Sequence, residues 1–88
     1  MQIGMLWLDS DRHADVALRI ERAAQYYRAK YGRQPNLCLV HPRTAGDQPP
    51  RQVSGLEVRT SRSILPDHFW LGVEERNKAK LASVGQAA

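Results

Sequence analysis

With 88 residues the chain has room for one domain around one core, just above the size at which disulfides, metals or oligomerisation are ordinarily needed. Hydrophobic residues at 42% and charged residues at 25% are globular proportions, and no run approaches the roughly 20 apolar residues of a membrane-spanning helix. A net charge of +4 favours an anionic partner such as nucleic acid, but the excess is too small to identify one by itself.

Met1 to Asp9 reads as a strand with apolar side chains on both faces: Ile3, Met5 and Trp7 on one, Leu6 and Leu8 on the other. One helix covers only one of those faces, so something else must meet the second. The N-terminus has no basic stretch, and Asp9 and Asp11 interrupt it too early for a secretory signal, so Met1 reads as the true start of a cytoplasmic chain.

From about Arg12 to Tyr31, the residues Val16, Ile20, Ala23, Ala24, Tyr27 and Tyr31 recur at the spacing of a helix packed on a sheet. Ser10 or Asp11 is its expected N-cap, Asp15 and Arg19 an expected pair one turn apart, and Gly32 its left-handed C-cap. Asn36 to His41 reads as a buried strand returning parallel to the first. Residues 43–54, with two prolines and Gly46, read as an exposed, flexible loop. A third strand is expected at Leu56 to Arg59, and a fourth at His68 to Glu74 that pairs with the third as a hairpin. Residues 75–88, where only Leu81 and Val84 offer anchors, read as a weakly ordered tail. The expected fold is therefore a mixed α/β domain on the α+β boundary, β-α-β-β-β in order. One main helix packs on a three- or four-stranded mixed sheet within residues 1–74.

The chemistry-bearing residues give few constellations. Asp9, Asp11, His41 and His68 fall at expected strand ends and, with Cys38 as a further candidate, are the metal ligands on offer, without the spacing of a zinc site. Leu6-Trp-Leu-Asp9-Ser-Asp11 resembles the first motif of haloacid dehalogenase-type phosphatases, in which an aspartate nucleophile ends the first strand. The likeness stops there: Arg12 and His13 depart from the motif, and the chain is too short for that family's remaining motifs. Cap and strand-exit roles suit the two aspartates better. The glycines are scattered singly, giving no phosphate loop or dinucleotide fingerprint, and no cofactor is implied. No catalytic residue is assigned. Cys38, alone in a strand, reads as a small buried apolar residue of a reducing compartment.

Two surfaces remain. Arg19, Arg22, Tyr26, Lys30 and Arg33 fall near one helical stripe, and Arg59 and Arg62 flank Thr60 and Ser61; both groups offer phosphate donors. Phe69 and Trp70 are adjacent in a strand, so at least one faces away from the helix. They mark an expected interface. The leading expectation is a non-enzymatic interaction module, homodimeric through the uncovered sheet face and accessory to a larger assembly. Nucleic-acid binding through the arginines comes second and a small metal-assisted hydrolase third.

Overall fold

The computed structural model describes residues 4–74. The tail expected over 75–88 lies outside the described residues, as does Ile3. In chain order the elements are β1 (Gly4–Leu8), α1 (Val16–Tyr31), β2 (Leu37–Val40), α2 (Pro42–Ala45), β3 (Gln52–Val53), β4 (Leu56–Thr60) and β5 (His68–Gly72). One main helix packs on a mixed sheet, the expected class, and the sheet has five strands in the order β1-β5-β2-β4-β3.

The fifth strand comes from the segment expected to be a loop. Pro42 sits in the first turn of α2, which His41 caps by accepting the Arg43 N–H on Nδ1 at 3.0 Å. β3 then joins β4 through Ser54 and Gly55, both left-handed at φ 51° and 83°. Two consecutive positive φ values make the hairpin turn whose twist matches that of the flanking strands. Ser-Gly is a weaker signal for it than Asn-Gly, and a two-residue strand has no period to detect.

The last strand corrects a second expectation. β5 does not pair with β4; it lies antiparallel between β1 and β2. β1 and β2 consequently run in the same direction without pairing, and the parallel neighbour of β2 is β4. Phe69 and Leu71 of β5 are fully buried. Burying each such side chain stabilises the fold by about 1.5–3 kcal/mol, which favours the central position for this strand.

α1 starts later than the pattern suggested, because Asp15 is its N-cap and accepts the Leu18 N–H at 2.9 Å. Asp9 and Asp11 instead accept the N–H groups of Asp11 and His13 and shape the turns before the helix. Asp15 is thus occupied as a cap, and Arg19 turns away from it toward Asp67 and Asp9. Gly32, at φ 71°, closes the helix by donating its N–H to the Arg28 carbonyl. The face made by Ile20, Ala23, Ala24 and Tyr27 packs on Met5, Cys38, Val40, Leu56, Phe69 and Leu71.

Candidate functional site

Strand alternation assigns the residues that α1 leaves uncovered. Since Met5, Phe69, Leu71, Cys38, Val40, Leu56 and Val58 belong to the core under the helix, their sequence neighbours point the other way. The register then aligns Leu6, Trp70, Leu39 and Arg59 across β1, β5, β2 and β4. A second row holds Gly4, Gly72, Leu37 and Glu57, and Leu8 stands beside His68.

This open face is apolar toward β1 and charged toward β4. Leu6 is 57% and Leu8 59% exposed, whereas Trp70 and Leu39 are partly buried. The Trp70 indole lies over Gly4 so closely that a Cβ there would stand 2.1 Å from the ring. Glycine is therefore required at this position for close approach rather than for backbone freedom. At the opposite side Arg59 pairs with Glu57 at 2.6 Å and Glu74 at 3.1 Å. Of the two aromatic residues expected at an interface, Trp70 lies on this face. Phe69 does not: it is fully buried beneath α1, because its neighbour took the outward side of the pleat.

The arginines expected to bind nucleic acid do not form one surface. Arg19 is 4% exposed, with its Nη2 donating to the Asp9 carbonyl and to Asp67 Oδ1 and its guanidinium 5.2 Å from the centre of the Phe69 ring. That buried position removes it from solvent-facing duty. Arg22 pairs with Asp11 at 3.1 Å and Asp9 at 3.5 Å. Tyr26 is half exposed and packs on Trp7, with ring centres 4.8 Å apart. Lys30 lies over the Tyr31 ring, and Arg33 and Arg62 are exposed. Arg59 projects from the sheet face opposite α1, so it is separated from the helix stripe by the whole sheet.

The candidate metal ligands are likewise distributed. Asp9 and Asp11 are engaged by Arg19 and Arg22, His41 caps α2, and the His68 Nδ1–H donates to the Pro66 carbonyl at 2.9 Å. Among the described residues no three His, Cys, Asp or Glu side chains are grouped to hold a metal ion. Burial pushes the Cys38 thiol up to about 12, which leaves little thiolate at neutral pH. Among the described residues no helix is long and apolar enough to cross a membrane.

Asp67 is the polar residue that pattern reading missed. It adopts φ 64°, donates its N–H to Thr44 Oγ1 at 2.8 Å, and accepts the Asp9 N–H on its carbonyl at 3.0 Å. Its carboxylate receives Arg12 at 2.7 Å and Arg19 at 2.8 Å, and these bonds hold its pKa below the ordinary carboxylate value. Pro66-Asp67 marked a turn in the sequence, but nothing local indicated that arginines from before α1 and from its buried face would converge there.

No family model, curated protein or solved structure matches the chain.

Proposed function

We propose that this protein is a non-enzymatic interaction module that self-associates through its open sheet face and serves as an accessory subunit of a larger assembly. The observation that carries the reading is the exposure of Leu6 and Leu8 beside Trp70 and Leu39, on a face that no helix among the described residues covers. Aromatic and aliphatic side chains set together in this way are typical interface anchors. On the charged side of the face Arg59 is held by Glu57 and Glu74, so its positive charge does not stand unopposed toward an approaching copy.

Binding of nucleic acid through the arginines has weaker support, since Arg19, Arg22 and Arg59 already have carboxylate partners. Light scattering of wild type and Trp70→Ala at low and high salt, with folding checked by circular dichroism, tests the proposal. A salt-resistant dimer that becomes a folded monomer on Trp70→Ala is expected. A wild-type monomer under all conditions removes the reading.

A further inference from the structure

β1 ends the strand order, and among the described residues no strand pairs with its outer side. Asp9 donates its N–H to the Asp67 carbonyl, one step beyond the Leu8–His68 pair of the register. In an antiparallel ladder, this places Asp9, Trp7 and Met5 at the positions bonded toward β5. The N–H and C=O groups of Gly4, Leu6 and Leu8 therefore point out from the edge. Natural edges are usually blunted by charge, proline, bulges or shortness. β3, the other edge, is two residues long. β1 has five residues, Gly-Met-Leu-Trp-Leu, with neither charge nor proline.

We propose that β1 pairs antiparallel with β1 of a second copy about a two-fold axis at Leu6, joining the two five-stranded sheets into one. This inference rests on the self-association reading and places the contact at the sheet edge bordering the open face rather than over the face itself. With the axis at Leu6, Gly4 lies opposite the partner's Leu8 and Met5 opposite the partner's Trp7. Every outward N–H then meets an outward C=O, because the outward-bonding positions are symmetric about Leu6.

The side chains fit the same register. Gly4 has none, and the Trp70 indole lies over it, so the partner's Leu8 is set down beside that indole. Leu6 meets the partner's Leu6. The apolar row Leu39, Trp70, Leu6 continues across the axis into the same row reversed, and the two most exposed residues of β1 both gain apolar neighbours. No like charges face each other across the new ladder. A strand from an unrelated protein would use the same backbone groups, but would not account for a sequence whose short residue and exposed leucine exchange places about its centre.

The test combines two variants of the full chain. Leu6→Pro deletes an outward N–H and leaves the β5 side of the strand intact, a placement proline tolerates on edges. A folded monomer is expected, with the apparent mass halved. Where circular dichroism shows Leu6→Pro unfolded, Leu6→Lys, which opposes two ammonium groups at the axis, replaces it. Leu6→Cys places two thiols on Cα atoms about 5.5 Å apart, within disulfide reach. Mild oxidation is expected to double its denatured mass from 10.0 kDa, while Leu18→Cys on the exposed helix surface stays monomeric. Buried Cys38 takes no part. A wild-type monomer overturns both this pairing and the self-association reading. A dimer that survives the strand-blocking variant, fails to crosslink through Leu6→Cys and dissociates on Trp70→Ala overturns the edge pairing alone.

Discussion

At the scale of single residues, the most consequential side chain is Arg19. Its charge is buried between Asp9 and Asp67, and its guanidinium lies near the Phe69 ring. Arg19→Met removes one of the two arginine partners of Asp67 and of Asp9, leaving Arg12 and Arg22 to hold them, and is expected to lower stability. Chemical denaturation is expected to show that loss as a lower midpoint with an unchanged slope. The carboxylates also set the acid response. Arginine hydrogen bonds hold Asp67 and Asp11 below their ordinary value of 3.8 in the folded state. Their contribution is therefore complete above that value and is lost as pH falls through the lower folded values. Stability followed from pH 6 to about pH 2 is expected to fall along this limb, and Asp67→Asn, which tolerates the left-handed backbone, is expected to flatten it.

At the scale of elements, the β3–β4 hairpin depends on its turn. Gly55 holds φ 83° with open space where a Cβ would be, so an added methyl strains only the backbone. Gly55→Ala is expected to destabilise the protein by about 1–2 kcal/mol, whereas Ser54→Asn suits its left-handed position and is expected to leave stability unchanged or slightly raised. Thermal melts of the two variants check the pair. The N-cap of α1 gives a parallel case. Asp15→Ala removes the acceptor of the Leu18 N–H and is expected to cost about 1 kcal/mol, read as a lower denaturant midpoint.

At the scale of the whole molecule, the sheet formed by the described residues has one covered face, one open face and one unblunted edge. A chain of 88 residues buries a smaller fraction of its surface than larger domains do, so association at the open side would add stability that the single core supplies only modestly. The thermal midpoint is accordingly expected to rise with protein concentration, since a partner that binds only the folded chain shifts unfolding by mass action. A midpoint independent of concentration over a hundredfold range would contradict the dimer.

The division between what was legible and what was not follows the range of the forces involved. Helical period, the glycine cap after Tyr31 and strand alternation at Leu6, Leu8 and Trp70 depend on neighbours a few residues away, so sequence alone determined the main helix, four of the strands and the existence of an uncovered apolar face. Strand order depends on which side chains pack under α1. It placed β5 between β1 and β2 and left β1 at the edge, and no local pattern encodes it. The arginines show the same boundary. Their spacing in α1 reads as one basic stripe, but Arg19 is turned inward by Asp67, forty-eight positions away along the chain. Local periodicity fixed which face each side chain takes; only the assembled sheet decided which faces and charges would meet, because burial and charge pairing act between residues brought together by tertiary packing.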